Sequence, residues 1–248
     1  MVSFGAEYNL QIILNCYTLI RMKTPDSKLH IAIIPDGNRR WAKKRTLSPW
    51  KGHEKAIQNF KESLEWCYAQ PEIGVLTIWC FSTENWKRSE KEIDKLMKIL
   101  EEYLINQRGE FIEKGIRILH SGRKDRLPAS LIKEISKLEE ETKDNKECTL
   151  NLAIDYGGKD EILRAIKKSE SDGIESEDQL KKYLDQPDLQ DLDLIIRTSG
   201  ENRTSNFFLW QSAYAEWMFL PILFPDFGVK ELEECVNTFK KRSRRFGS

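Results

Sequence analysis

The chain has 248 residues, enough for one large α/β domain with a sizeable core, and balances 40 lysines and arginines against 40 aspartates and glutamates. A formal charge of zero argues against nucleic acid as a partner, since such proteins carry a basic excess. Five scattered cysteines without a CxxC pair, and only three histidines, argue against a disulfide framework and a zinc site and predict a reducing, cytoplasmic setting.

The first segment of note is YNLQIILNCYTLI, residues 8–20. It is too short and too interrupted by Asn and Gln to span a bilayer. It also lacks the basic leader and cleavage site of a signal peptide. Residues 1–29 therefore read as a helical extension packing on the body, the alternative being an interfacial helix that gives peripheral membrane contact.

From residue 29 onward, short β-branched runs alternate with amphipathic stretches. LHIAIIP, GVLTIWCFS, GIRILHSG, CTLNLAIDY and LDLIIRTSG predict five strands. Between them, 51–70, 89–115, 127–144 and 159–170 predict helices, and 229–246 closes the chain with another. The alternation predicts an α/β fold with a central, mostly parallel sheet flanked by helices on both faces. The charged stretch 168–193 reads as solvated helices and loops within one domain. In such sheets functional residues gather at the carboxyl ends of the strands.

The first strand ends at Pro35-Asp36-Gly37-Asn38, followed by Arg39, Arg40, Trp41, Lys43, Lys44 and Arg45. A helix starting near Asn38 would aim backbone N–H groups and arginine forks at an anion. Asp36 among these cations suits Mg²⁺, which prefers one or two carboxylates plus substrate phosphates. The competing reading is an ordinary Asp-Gly turn followed by a solvated basic face. No GxxxxGK[ST] spacing is present, so a nucleotide is not implied.

The second strand runs into Ser82, Thr83, Glu84, Asn85, Trp86 and Arg88; beyond them Ser89 and Glu92 have the spacing of a capping box. The fourth ends in Asp155-Tyr156-Gly157-Gly158, a turn read as structural first. The fifth leads to Arg197 and Arg203 on either side of Thr198-Ser199-Gly200, with Ser205 beyond, a second diphosphate-sized anion site. Glu216 stands among Trp210, Tyr214, Trp217 and Phe219, where a carboxylate needs either a salt bridge or a metal. Two anion sites, metal-competent carboxylates, flanking apolar residues and no strong nucleophile suit prenyl diphosphate chemistry.

The motifs HIAIIPDGNRRWAKK, GH at 52–53, FSTENWKRSEKEI, LNLAIDYGGKDEI, DLIIRTSGENRTSNFFLWQSAYAEW, FPDF and a terminal RRFG resemble, in this order, those of the cis-prenyltransferases, the undecaprenyl and dehydrodolichyl diphosphate synthases. The resemblance covers 30–248 as the catalytic domain. It implies a homodimer, a hydrophobic product tunnel, Mg²⁺, and condensation of an allylic prenyl diphosphate with isopentenyl diphosphate to form a cis double bond. By the same resemblance Asp36 is the catalytic Mg²⁺ carboxylate. Gly37, Asn38, Arg39, Arg40 and Trp41 bind the allylic diphosphate, and His53 lies near the substrates. Ser82, Thr83 and Glu84 line the site, with Asn85 as proton acceptor and Trp86 and Arg88 beside it. Arg197, Arg203, Thr204 and Ser205 hold the acceptor diphosphate, and Glu216 completes the metal site. Arg245-Phe246-Gly247 matches the motif that crosses between subunits.

One position departs from the pattern: Pro49 stands where the family usually has an arginine reaching the allylic diphosphate. Proline has no donor to offer, which leaves Arg45 or Lys51 to compensate. It also keeps two alternatives in view: another acceptor, a second allylic diphosphate or an alcohol, and a non-catalytic subunit of a heteromeric enzyme.

Overall fold

A computed structural model describes residues 28–242. The expected helix within 1–29, Cys16 and the terminal Arg245-Phe246-Gly247 lie outside the described residues.

Six strands form one sheet: β1 (Leu29–Ile34), β2 (Ile73–Ser82), β3 (Ile116–Ser121), β4 (Cys148–Tyr156), β5 (Leu194–Arg197) and β6 (Glu216–Phe219). Their order is β3-β4-β2-β1-β5-β6, and every neighbouring pair is parallel. The five expected strands are all present, and β6 is an addition. The helices are α1 (Asn38–Lys44), α2 (Pro49–Ala69), α3 (Glu90–Glu113), α4 (Ala129–Glu141), α5 (Gly158–Lys168), α6 (Glu177–Lys181) and α7 (Val229–Lys241).

Period-two alternation decides which side chain enters which layer. Ile31 and Ile33 of β1 and Leu194 and Ile196 of β5 face a large core with α2, α3, α4 and α7. Ala32, Ile34 and Ile195 face the other way, into a smaller core closed by Tyr156, Phe207 and Phe208. The long helices thus cover one face. On the other, the segment after β5 supplies much of the cover with its aromatic rings. Tyr156 and Phe208 stack with centroids 4.1 Å apart.

The chain runs outward from β1 to β2 on one side and to β5 on the other. The ends of β1, β2 and β5 therefore converge at the switch point where α/β sheets bind ligands. Two glycines make this corner. Gly37 takes φ +100°, a left-handed value that favours glycine, between β1 and α1. A Cβ on Gly52 would stand 2.1 Å from the Asn38 carbonyl oxygen, so its absence lets α1 and α2 touch.

Pro49 opens α2 at its first residue, with Ser48 before it. Its missing N–H costs nothing there, and its fixed φ suits a helix start.

Candidate active site

Asp36 follows the last residue of β1, which is paired with Arg197 at the end of β5, by two positions. Its Oδ2 accepts from Arg197 Nη2 at 3.0 Å, and its Oδ1 accepts from the Gly37 N–H at 2.6 Å. The two segments are tied again through Thr198 Oγ1, which accepts from the Asp36 N–H at 3.0 Å and lies 2.8 Å from the Asp36 carbonyl. Burial pushes the Asp36 carboxyl up, but the Arg197 hydrogen bond and charge, with Gly37 and Ser199, outweigh it. The group is held below the usual carboxylate range and is ionised at neutral pH.

Arg197 is buried and acts as a strut. Its Nη1 donates to the Arg203 carbonyl at 2.5 Å and to Ser205 Oγ at 2.7 Å. Arg40 donates to the Ser199 carbonyl at 3.2 Å and to Ser199 Oγ at 2.5 Å, and lies 3.6 Å from Asp36. Ser199, Ser205 and Asn206 all take positive φ, an unfavourable backbone that persists where surroundings impose it, often at functional sites. The structure thus gathers Asp36, Gly37, Arg40, Arg197 and Ser205 around one corner. The guanidinium of Arg203 is exposed and pairs with Glu201; its carbonyl is what Arg197 uses. Thr204 is exposed beside it.

Asn38 and His53 form the wall between this corner and the core. Asn38 Nδ2 donates to the Pro35 carbonyl at 3.0 Å and lies 3.4 Å from His53 Nδ1. Asn38 Oδ1 and His53 Nε2 are buried without a partner among the described residues. Both residues border a cleft of about 610 Å³ that runs between α2 and α3 over the sheet. Beyond them its lining is apolar, with Ile78, Leu100 and Leu152 among the contributors. Unpaired polar atoms at the rim of an apolar cleft are groups a ligand can satisfy.

Burial, then the charges of Arg88 and Arg39, lower the His53 pKa to about 4; burial does the same to His120. Both imidazoles are neutral near pH 7. Their folded pKa values lie below the unfolded value, so acid must charge a buried ring. Stability is therefore full above about pH 6.5 and declines as pH falls toward about 4, by roughly 3 kcal/mol per histidine at the limit. Urea unfolding across this range checks it: the His53→Gln/His120→Gln double variant gives the flatter profile, and a slope equal to wild type contradicts the assignment.

At the end of β2, Asn85 Oδ1 accepts from the Ser82 N–H at 3.2 Å, which pins the carboxamide on its own turn. The Ser89/Glu92 capping box expected from the sequence does not form. Ser89 precedes α3 but makes no side-chain cap bond, while Glu92 reaches Arg88 at 3.1 Å and Arg39 at 3.6 Å. Two cations from different strand ends offer more to that carboxylate than one backbone N–H. Trp86 Nε1 donates to Asp155 Oδ1 at 2.8 Å; Arg126 grips the same carboxylate with Nε at 2.8 Å and Nη2 at 2.5 Å. Glu84 accepts from Asn206 Nδ2 at 3.0 Å, and Thr83 packs against Gly157.

Neither expected substitute for the arginine missing at Pro49 points to the corner. Arg45 stacks over the Trp41 ring at 4.1 Å and pairs with Asp226 at 3.3 Å, while Trp41 Nε1 donates to Asp226 at 2.6 Å. Lys51 pairs with Glu54 at 2.7 Å. Arg39 is more than half exposed and makes a 3.6 Å contact with Glu92.

Glu216 is not brought to Asp36 within the chain. It opens β6 opposite Leu194, the first residue of β5, whereas Asp36 lies past the far end of β5 beside Arg197. At about 3.3 Å per residue, the length of β5 alone separates them by roughly 10 Å. Glu216 accepts from Arg242 Nη1 at 2.9 Å.

Among the described residues, no group of three or more His, Cys, Asp or Glu side chains could hold a metal by itself. No helix among them is long and apolar enough to cross a membrane. Sequence reasoning missed Ser199, which orients Arg40, and Asp155, which orients Trp86. The positive φ values of both have no composition signal.

Residues 34–247 match the family model described as "Putative undecaprenyl diphosphate synthase". An isoprenyl transferase of Fusobacterium nucleatum subsp. nucleatum is 47% identical over 222 residues, covering 88% of this chain and 95% of that one. A tritrans,polycis-undecaprenyl-diphosphate synthase (geranylgeranyl-diphosphate specific) of Pyrococcus furiosus is 41% identical over 242 residues, covering 93% and 91%. Among solved structures, lavandulyl diphosphate synthase of Lavandula x intermedia, in complex with dimethylallyl diphosphate, superposes with a TM-score of 0.85 at 36% identity. It covers 91% of this chain and 100% of its own.

Proposed function

This chain belongs to the undecaprenyl diphosphate synthase family of cis-prenyltransferases, and we propose that it extends an allylic prenyl diphosphate with isopentenyl diphosphate, with Mg²⁺ as cofactor. The observation that carries this reading is the junction at Asn38. An ionised carboxylate and two arginines lie on one side of it, and the mouth of the apolar cleft on the other. A diphosphate head and a hydrocarbon tail fit that division.

The donor set suits Mg²⁺. Asp36 is one partly exposed carboxylate whose oxygens hold more lone pairs than Gly37 and Arg197 use, and Mg²⁺ takes one or two carboxylates and completes its shell with water and phosphate. When bound, Mg²⁺ would neutralise charge on the departing diphosphate. Glu216 would join this set from a second copy of the chain in a homodimer, and the terminal Arg245-Phe246-Gly247 would cross between the two subunits.

The chain's own residues do the rest. Arg40, set by Ser199, and Arg39 take the allylic diphosphate oxygens, with Gly37, Asn38 and Trp41 shaping the corner. Arg197, Arg203, Thr204 and Ser205 hold the acceptor's diphosphate. As the allylic C1–O bond breaks, its electron pair leaves with the diphosphate, and these fixed cations stabilise the growing charge without reorganising. The acceptor's π electrons form the new bond to C1, and the proton lost next to it leaves the new double bond. Asn85, pinned on Ser82, takes the proton-relay role, with Ser82, Thr83, Glu84, Trp86 and Arg88 around it. Neutral His53 faces the tail's entry. Holding two diphosphates in register supplies much of the rate.

Chelation tests the metal assignment. Turnover of an allylic primer with isopentenyl diphosphate should vanish in EDTA and return with Mg²⁺. Undiminished turnover in EDTA would rule out Asp36 as a metal ligand in the reaction.

A further inference from the structure

We propose that Asp155 and Arg126 are positioning residues for the condensation step: acting through Trp86, the pair fixes the turn that carries Asn85. The proposal rests on the elongation reading above.

An irregularity at the end of the sheet places Asp155. Between β2 and β4 the register runs Trp79 opposite Ala153, then Phe81 opposite Ile154, then Ser82 opposite Tyr156. Cys80 and Asp155 are thus skipped, one on each strand, and Asp155 takes φ +53°. Such bulges re-aim a side chain and gather beside active sites. The re-aimed carboxylate is fully buried, where a lone charge would be costly. Three donors meet it: Trp86 Nε1 at 2.8 Å, Arg126 Nε at 2.8 Å and Arg126 Nη2 at 2.5 Å.

Arg126 comes from the loop between β3 and α4, and that loop is clamped to the same strand. The Arg123 N–H donates to the Asp155 carbonyl at 3.1 Å, and a Cβ on Gly122 would stand 2.1 Å from the Ile154 carbonyl oxygen. The Arg126 guanidinium also lies over the Trp86 ring, 5.6 Å from its centroid, and Phe81 forms an edge-to-face pair with that ring at 5.1 Å. The indole is therefore held at its N–H and by two contacts on its ring.

What the indole anchors is weak on its own. Thr83–Lys87 is a five-residue 3-10 turn, and runs of that geometry longer than about four residues are uncommon. Asn85 directly precedes Trp86, and the Arg88 N–H closes the turn on the Asn85 carbonyl at 3.0 Å. Glu84 is tied to Asn206 in an exposed contact, whereas Trp86 is tied to a buried carboxylate, where a hydrogen bond is stronger. With Asn85 as the proton acceptor, a shifted indole displaces the group that receives the proton, and a misplacement of about 1 Å can cost about 10²-fold in rate.

The test is a double-mutant cycle on the rate of the first condensation, read in a single turnover so that product release does not mask it. Asp155→Asn keeps an acceptor for Trp86 and removes the charge that holds Arg126. Arg126→Gln, at a partly exposed position, guards against loss of fold in the buried variant. Each is expected to lower that rate about 10-fold or more, with KM for both diphosphates within about twofold of wild type. In a Trp86→Phe background, Asp155→Asn should cost nothing further. Additive losses, a rise in KM at unchanged rate, or wild-type rates in both single variants would overturn the proposal.

A second measurement needs no turnover. In nitrogen-15 spectra of the full chain, the indole N–H resonance that vanishes in Trp86→Phe identifies Trp86. It should move in Asp155→Asn and in Arg126→Gln, and a resonance unmoved in both would refute the assignment. If wild type builds no product ladder, the elongation reading fails, while this resonance still decides whether the pair holds Trp86.

Discussion

Replacing Asp36 with asparagine is expected to lower kcat by about 10³-fold while leaving the fold intact. The asparagine oxygen can still accept from Gly37 or Arg197, so the corner keeps its shape. What disappears is the negative charge on which metal binding depends, and loss of one preorganised electrostatic contact commonly costs about 10²–10³-fold. Asp36→Ala is the harsher change: it leaves buried Arg197 without its counter-charge, at a cost of about 3–5 kcal/mol. Single-turnover kinetics together with urea unfolding separate the two effects. A D36N enzyme within tenfold of wild-type kcat would mean that the carboxylate is only a turn residue.

Arg197→Lys is expected to be nearly as damaging, although the charge is kept. The guanidinium reaches Asp36 with one nitrogen and both the Arg203 carbonyl and Ser205 Oγ with the other. A lysine ammonium is a point on a flexible stem and cannot span those partners with planar geometry. Ser205, held at positive φ, then loses its tether. The expected outcome is a loss of about 2–4 kcal/mol in unfolding free energy, the usual range for a broken buried network. KM for isopentenyl diphosphate should rise more than KM for the allylic primer, because Arg197 organises the Arg203–Ser205 side of the corner. An equal rise in both would place Arg197 in general support of the fold.

The parallel sheet was legible because its physical signature is local: β-branched runs of strand length that alternate with amphipathic helices through the first four strands. Strand β6 escaped that reading. Its four residues, Glu216–Phe219, lie in a stretch with no Gly or Pro between Gly200 and Pro221 to mark a strand start, and only pairing with β5 defines it. That Asp36, Arg40 and Arg197 meet at one corner could be anticipated because they follow the carboxyl ends of β1 and β5, where α/β sheets gather ligand-facing residues. Their supports could not. Ser199, Asp155, Asn206 and Asp226 act across gaps in sequence of more than sixty residues, and nothing in their own neighbourhoods marks them. Glu92 shows how a local rule loses to a distant partner: its capping-box spacing is sound, yet Arg88 and Arg39 claim the carboxylate. Pro49 is explained by its place as the first residue of α2, and Arg45 and Lys51, the expected substitutes, are drawn instead to Asp226 and Glu54.

The most direct test of the elongation mechanism is an incubation of the purified protein with Mg²⁺, labelled isopentenyl diphosphate and allylic primers of several lengths, followed by separation of the products by chain length. Label is expected in a ladder of prenyl diphosphates whose new double bonds are cis. Consumption of the allylic diphosphate with no label incorporated, or no turnover of any primer, would contradict the mechanism.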